Sequence, residues 1–439
     1  MRILEIFIDG YKNIKNTRLN FSEPIIVLLS KNNYGKTNLL MGIKEGFGFL
    51  RNSSQEASKY ISCKSYKEIF CEDNHQFTFE VKFIVNGDQT RIHRYKYAIG
   101  TVNNSNDFCV CLEELAYEEL GKESERYLLK RDVEVPSSVW LYNDDESQPS
   151  AQFFANDVDA SSSWLFLRIF SEQFRNEDDK AWAGSNIVLD EISNVYKALT
   201  RESIGNILVN EHTKLGDSSF SRVADVMHWF SNVDEVKYRY FEKCFLKLFP
   251  RFKALEVRED AALDPYLVFS RKSDGKNETV KTQSFGTRRI LKLLFEVFIN
   301  KTPLASIEEL EIGVHPKLFT DVLNIFSEIL HTGVPSEAKG APPVEVYTVE
   351  PRLIITSHLI NLVNKLESYL GSIYFGLDGH LRDESDTTAR FVGFTEEGQE
   401  AILEKINSIS GGILGVGDII YDYDENPTYA HLLRSWLEK

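Results

Sequence analysis

A glycine, a lysine and a threonine stand in succession at Gly35, Lys36 and Thr37, which is the end of a loop pattern that binds phosphate. In such a loop, backbone N–H groups and the N-terminus of the following helix point at the phosphates. The lysine reaches the β and γ phosphates, and the threonine hydroxyl binds Mg²⁺. The chemistry expected here is therefore the binding of a nucleoside triphosphate with its magnesium ion.

The first position of this loop departs from the pattern, because Ser30 stands where glycine is expected. Glycine is normally used there for its conformational freedom, so serine would weaken or reshape nucleotide binding. A Gly-Lys-Thr tripeptide alone is common. Its place after a continuous apolar run at 24–29 and before a segment with helical periodicity at 37–50 favours phosphate binding over an ordinary strand–turn–helix.

Two adjacent carboxylates, Glu308 and Glu309, follow a short apolar segment at 304–307. Carboxylates at the end of a strand are what a magnesium–nucleotide site needs. Glu308 is expected to hold Mg²⁺ through its water shell, and Glu309 to polarise the attacking water. Glu308 stands where aspartate is usual, and its extra methylene changes the metal geometry and with it the hydrolysis rate. In isolation, the pair would be interpreted as solvated acidic residues at a helix start.

Two further positions could contact phosphate. The Ser284 hydroxyl, the Gly286 amide and Thr287 lie at the start of an amphipathic helix and could form an anion cradle, although Ser284 could simply cap that helix. His358 follows a buried strand at 352–356 and could contact the γ phosphate or position water. A single histidine at a strand end is more often incidental.

The elements that must position these residues predict an α/β protein. Three strands and a helix are expected in the first fifty residues, then β-rich segments, then a mainly helical stretch from 164 to 250, and strands and helices again to the C-terminus. We divide the chain into three parts: an N-terminal lobe with the phosphate loop and a β-rich subdomain at 1–150, a mainly helical insertion at 151–250, and a C-terminal lobe with the remaining motifs at 251–439.

Composition limits the class of protein. The chain has 439 residues and a net charge of −16, with 42% hydrophobic residues. No apolar run approaches the ~20 residues that span a bilayer, and the N-terminus lacks a signal-peptide pattern, so a cytoplasmic protein without membrane contact is expected. Five cysteines without paired spacing predict neither disulfides nor a zinc site. The acidic balance argues against a dedicated nucleic-acid binder, but not against a local basic patch.

Taken in order along the chain, these motifs resemble those of the non-transporter ABC ATPases, the RecF- and SMC-like heads, and most closely the overcoming-lysogenization-defect (OLD) type of AAA ATPase. The resemblance covers residues 1–60 and 280–375. The residues that carry it are Gly10 to Ile14, Asn32, Asn33, Gly35, Lys36, Thr37, Ser284, Gly286, Thr287, Glu311, Gly313, His315, Pro316 and His358.

The resemblance implies a P-loop ABC-type ATPase head, in which a mixed β-sheet with flanking helices carries an antiparallel β subdomain and a helical insertion. ATP and Mg²⁺ would bind between two copies of the chain, with Asn32 and Asn33 in the phosphate loop and with Glu309 and His358 as catalytic residues. The chain after residue 375 is too short for the TOPRIM nuclease of many OLD-type proteins. A separate effector, such as a nuclease, is therefore expected, as in anti-phage defence systems such as PARIS.

Two other functions stay open. A RecF-like DNA-repair ATPase could use the basic stretch with interleaved aromatics from Lys237 to Lys253 to follow a phosphate backbone. The apolar residues of this stretch fall at helical spacing, however, which indicates a core helix with a solvated basic face. The third possibility is a nucleotide-dependent scaffold that hydrolyses ATP slowly or not at all, which Ser30 and Glu308 favour.

Overall fold

The computed structural model describes most of the chain. The described residues are 1–31, 34–51, 70, 76–85, 90–101, 108–122, 124–131, 138–142, 149–154, 167, 186–200, 204–209, 215, 218–336, 350–378, 388–408, 415–423 and 426–437.

The strands are β1 Arg2–Asp9, β2 Thr17–Asn20, β3 Ile25–Leu29, β4 Gln76–Ile84, β5 Arg91–Thr101, β6 Phe108–Glu119, β7 Glu125–Arg131, β8 Ser138–Tyr142, β9 Pro149–Phe154, β10 Asn206–Val209, β11 Phe252–Glu259, β12 Pro265–Arg271, β13 Asn277–Thr279, β14 Leu304–Ile307, β15 Arg352–Ser357, β16 Ile373–Asp378 and β17 Ala389–Gly393. The α-helices are α1 Lys36–Arg51, α2 Asn186–Leu199, α3 Ser218–Val233, α4 Glu235–Leu248, α5 Phe285–Ile299, α6 Pro316–Thr332, α7 Glu396–Ser408, α8 Val416–Tyr421 and α9 Pro427–Trp436.

A mixed sheet with the order β10-β14-β15-β3-β16-β17 positions the candidate site. All of its neighbouring strands pair in parallel except β16 and β17. Every residue of β3 and of β15 is buried, as expected for parallel strands covered on both faces. Because β14, β15 and β3 are adjacent and parallel, the loops after their carboxyl ends meet at one edge of the sheet.

An antiparallel sheet, in the order β2-β1-β4-β5-β6-β7-β8-β9, packs through its apolar side chains on α1 and α2. Inside it, Arg131 and Glu113 form an ion pair of 3.2 Å, with 1% and 0% of the two side chains exposed. The Tyr95 hydroxyl donates to Glu113 Oε1 at 3.0 Å. The buried carboxylate is thus paired and hydrogen-bonded, as a buried charge must be.

Helix α4 packs against the small antiparallel sheet β11-β12-β13 and against α5. Its apolar face, including Phe241 and Phe245, is buried. Two basic side chains on its other face have acidic partners: Arg239 contacts Glu242 at 2.9 Å and Lys247 contacts Glu328 at 3.5 Å. These contacts support the core-helix interpretation of the basic stretch.

The predicted fold class is confirmed, as the structure contains a mixed sheet with flanking helices and an antiparallel sheet beside it. Among the described residues of the stretch predicted to be mainly helical, 164–250, β10 forms an edge strand of the mixed sheet beside β14, and residues 168–185 lie outside the described ranges. Four residues are too few to show a period, so the sequence could not reveal this strand. The three-part division of the chain stays a prediction. Among the described helices, none has the length and apolarity to cross a membrane.

Candidate functional site

The phosphate loop connects β3 to α1, as the sequence predicts, and Lys36 is the first residue of the helix. Its side chain is almost closed off from solvent, with 6% of the residue exposed. The ammonium Nζ lies 2.8 Å from the Ser30 carbonyl oxygen, 2.9 Å from Ser30 Oγ and 3.0 Å from the Lys31 carbonyl oxygen, and its three N–H groups are shared among these oxygens and the His358 ring. Ser30, which replaces the expected glycine, therefore contributes its hydroxyl to the lysine. Asn32 and Asn33 lie outside the described residues.

Gly35, in the phosphate loop, packs against the turn that follows β1. Its φ of 85° lies in the left-handed region, and a Cβ at this position would lie 2.9 Å from Ile14 Cδ1 and 3.0 Å from Asn13 Oδ1. Asn13 Oδ1 also accepts a hydrogen bond from Asn38 Nδ2 of α1 at 2.8 Å. Thr37, on the first turn of α1, is exposed. The opening turn thus packs directly on the loop, and glycine is needed for both conformation and space.

His358 joins the lysine to the second of the two carboxylates. Its Nδ1 lies 2.8 Å from Lys36 Nζ, and its Nε2 lies 2.5 Å from Glu309 Oε1. An ammonium can only donate, so Nδ1 accepts, and the ring proton on Nε2 donates to the carboxylate. The histidine that could have been incidental therefore lies between the two groups that the sequence predicted for phosphate and for water.

The loop after β14 gives its two glutamates different surroundings. Glu309 has a φ of 48°, and its N–H donates to Thr356 Oγ1 at 2.9 Å. Glu308 is buried, and its N–H donates to the Val209 carbonyl of β10 at 2.9 Å. The third acidic residue of the loop, Glu311, accepts a hydrogen bond from the His358 N–H at 2.6 Å. The loops after β14 and β15 are thereby held together.

Burial dominates the electrostatics of the lysine. Desolvation lowers the pKa of Lys36 to about 8, while the nearby carboxylates of Glu311 and Glu309 partly counter this by favouring the ammonium. The lysine can therefore change its charge within the accessible pH range.

The residues predicted to hold Mg²⁺ offer the right kind of donor. No cluster of three or more His, Cys, Asp and Glu side chains in the described ranges could hold a metal ion without further ligands. The Thr37 hydroxyl at the helix start and the Glu308 carboxylate at the strand end are hard oxygen donors. Such donors fit an ion that takes its other ligands from phosphate and water.

The helix start at Ser284 lies on a different part of the chain. Ser284 caps α5 and accepts the Thr287 N–H at 3.3 Å, while the buried Thr287 hydroxyl accepts from Arg251 Nη2 at 3.1 Å. A Cβ on Gly286 would lie only 2.0 Å from the Gly313 carbonyl oxygen, so α5 touches the loop after β14. Within the described residues, no hydrogen bond or ion pair joins Ser284 or Thr287 to Lys36. The structure thus brings together the loop, acidic and histidine motifs, while the fourth motif contacts the acidic loop and has no direct bond to the lysine.

Sequence reasoning gave no role to several residues that contact the site. Arg289 Nη2 donates to the carbonyls of Glu308 at 3.1 Å and Glu309 at 2.9 Å. A charged residue among the apolar positions of α5 is the signal that could have identified it. Lys31 Nζ lies 4.9 Å from the centroid of the Tyr421 ring, so the C-terminal segment reaches the phosphate loop. No local pattern reveals such a long-range contact.

A family model described as "AAA ATPase domain" matches residues 1–363. No curated protein matches the chain. Among solved structures, the SMC head domain from Thermotoga maritima has 13% identity and a TM-score of 0.41, covering 90% of this chain and 100% of that one. The SmcHead bound to the C-winged helix domain of ScpA has 13% identity and a TM-score of 0.46, covering 90% and 99%. The Smc head domain of Pyrococcus furiosus, bound to the C-terminal domain of ScpA, has 13% identity and a TM-score of 0.37, covering 92% and 99%. At these values the structural likenesses carry no argument about substrates or partners.

Proposed function

The chain belongs to the family of AAA ATPase domains, and we propose that it binds ATP with Mg²⁺ at the loop between β3 and α1 and hydrolyses it slowly to ADP and phosphate. One observation carries this proposal: His358 contacts both the Lys36 ammonium and the Glu309 carboxylate at the ends of adjacent parallel strands. A cation that can bind phosphate and a carboxylate that can accept a proton from water thus contact the same histidine.

Each residue has a definite task in this proposal. Lys36 binds the β and γ phosphates, as P-loop lysines do. Thr37 and Glu308 hold Mg²⁺, which neutralises phosphate charge when bound. Glu309 accepts a proton from the attacking water, and the Nε2–H of His358 fixes the direction of its carboxylate. Slow turnover is expected because Glu308 replaces the shorter aspartate.

We further propose that the nucleotide is enclosed by a second copy of the chain, whose Ser284, Gly286 and Thr287 face the γ phosphate. The start of α5 has N–H groups and a helix dipole suited to an anion. Phe285 beside it is 45% exposed, so this face of the head is open. Assembly is then nucleotide-dependent and at least dimeric.

The direct test is ATP binding by calorimetry together with phosphate release and light scattering of the wild type, with and without Mg-ATP. Binding with slow release and a rise in mass supports the whole proposal. ATP binding and assembly without phosphate release would favour the alternative of a nucleotide-dependent scaffold. No binding would refute the proposal.

The enclosure by two copies can be tested by mixing variants. Ser284→Asp keeps a good helix cap but places a negative charge against phosphate, whereas Ser284→Asn caps without charge. Ser284→Asp and Lys36→Ala should each be inactive alone. Mixed, they should regain activity, because the mixed dimer has one site with an intact loop and an intact Ser284. No recovery, or equal activity of the Asp and Asn variants, would rule out the shared site.

We propose control of a separate effector, such as a nuclease, in anti-phage defence as the biological role of this cytoplasmic ATPase. This step rests on the resemblance of its motifs to OLD-type ATPases alone. Co-purification with the product of a neighbouring gene, and loss of phage protection in Lys36→Ala, would support it. ATP hydrolysis stimulated by DNA, without such a partner, would favour the repair alternative instead.

A further inference from the structure

A fully buried arginine lies behind the candidate catalytic carboxylate. Arg289, on the second turn of α5, is 0% exposed. Its Nη2 donates to the main-chain carbonyls of Glu308 and Glu309, at 3.1 and 2.9 Å. Its Nε and Nη1 have no hydrogen-bond partner among the described residues. Burial lowers the pKa of Arg289, although the charges of Glu311 and Glu309 act in the opposite direction.

This arrangement is costly for the fold. A buried donor without a partner destabilises the fold, and in the described part of the chain no carboxylate forms a salt bridge with Arg289. Among the described residues, Arg131 is buried to a similar degree and has the Glu113 carboxylate at 3.2 Å. Stability therefore does not account for a guanidinium at position 289.

The backbone of Glu309 supplies the reason. A non-glycine residue in the left-handed region is strained and persists only when its neighbours hold it there. Glu309 has a φ of 48°. Thr356 Oγ1 holds its N–H at 2.9 Å, and Arg289 holds its carbonyl and the preceding one. This conformation directs the Glu309 carboxylate toward His358 Nε2.

We propose that Arg289 is a positioning residue, which holds Glu309 in its left-handed conformation and links that conformation to the start of α5. A second contact joins the same two elements: the main chain at Gly286 packs so closely against the Gly313 carbonyl that a side chain would not fit between them. A displacement of the Ser284 end of α5 therefore reaches the carbonyl of Glu309 through one side chain. The assignment rests on the proposed ATP hydrolysis.

The test compares Arg289→Met with Arg289→Lys and with Arg288→Met. Methionine fills the space without donors, and lysine keeps a charge but ends one atom short of Nη2. Arg288→Met is the matched control, because this neighbour donates to the Leu215 carbonyl at 3.1 Å instead of to the acidic loop. For each protein, ATP affinity, KM, kcat of phosphate release and the melting temperature are measured.

We expect Arg289→Met to lower kcat by about 10–100-fold with KM and ATP affinity nearly unchanged, as for an interaction needed only in the transition state. Its melting temperature should be equal or higher, because apolar replacement of a buried charge is often neutral or stabilising. Arg289→Lys should regain part of kcat, and Arg288→Met should match the wild type.

A kcat of Arg289→Met equal to that of Arg288→Met would overturn the assignment while leaving the proposed function intact. If Arg289→Met does not fold, a wild-type kcat in Arg289→Lys would overturn it equally. A wild type that binds ATP but releases no phosphate would remove the reaction that Arg289 is proposed to serve, and a wild type that binds no ATP would refute the proposed function as well.

Discussion

The antiparallel sheet and the edge of the mixed sheet both hold charged side chains, in opposite ways. Arg131 and Glu113 are closed off from solvent, with 1% and 0% exposed, and contact each other directly. His358 and Glu309 keep 29% and 21% of their side chains exposed. In the first region the charges satisfy one another and fix the sheet. In the second, the imidazole lies between the Lys36 ammonium and the Glu309 carboxylate, and the histidine and the carboxylate stay partly exposed.

The largest expected effect is on phosphate release, and it comes from comparing the same glutamate-to-glutamine substitution in the two regions. Glu309→Gln removes a proton acceptor and should lower phosphate release by about 10²–10⁴-fold while ATP stays bound. Light scattering with Mg-ATP should then show a longer-lived assembly than for the wild type. Glu113→Gln makes the same change in the antiparallel sheet and should leave turnover per folded molecule unchanged. Equal losses in both variants would remove the distinction.

The reverse experiment addresses stability. Arg131→Met leaves the Glu113 carboxylate buried without its cation, and breaking such a pair costs about 3–5 kcal/mol of unfolding free energy. Urea denaturation measures this loss. Arg258→Met changes an exposed arginine and should stay within about 0.5 kcal/mol of the wild type. A small loss for Arg131→Met would mean that Glu113 protonates or finds water, and that the pair does not fix the sheet.

Lys36→Ala tests the cation at the edge of the mixed sheet. A hydrogen bond to a charged group contributes about 1.5–3 kcal/mol, so the dissociation constant for Mg-ATP should rise by about 10–100-fold. The melting temperature should not fall, because a buried lysine that loses its charge easily contributes little to stability. Calorimetric titration measures the affinity, and an unchanged value would remove the lysine from the site.

The smallest expected effect is a dependence of ATP binding on pH. The pKa of Lys36 in the free protein is about 8, below its ordinary value, so the ammonium is present below this pH and lost above it. Phosphate binds the charged form, and affinity should fall by up to about tenfold per pH unit above 8. Titrations in buffers of different ionisation enthalpy should show proton uptake. In Lys36→Ala both signals should vanish.

Much of the site could be predicted from the sequence, because its motifs follow buried strands that local patterns reveal. The run before Ser30 and the runs before Glu308 and His358 each predict a strand, and adjacent parallel strands bring their ends together. The contact of His358 with both Lys36 and Glu309 was not predictable, since it depends on strand order. Thr356 illustrates the limit, because only the pairing of β14 with β15 decides which backbone N–H its hydroxyl can accept from.

The partners of Arg289 and the presence of the short strand β10 could not be predicted, for a different reason. Arginine is mostly exposed in proteins, and composition rules place it in solvent unless a partner is known. Its partners here are main-chain carbonyls, which every residue has and which no motif marks. Four residues of β10 are likewise too short for a periodic signal, so only the completed sheet identifies them.

The order of the mixed sheet also constrains when the protein can fold during synthesis. Strand β3, which leads into the phosphate loop, pairs on one side with β15 and on the other with β16, both of which are made hundreds of residues later. Non-local pairings of this kind form slowly, because a long loop must close before any contact compensates for it. A ribosome-bound chain that ends before residue 352 has an unpaired β3 and lacks His358 altogether. The nucleotide site is therefore a late product of translation, and nascent chains would require protection of this strand until the C-terminal strands emerge.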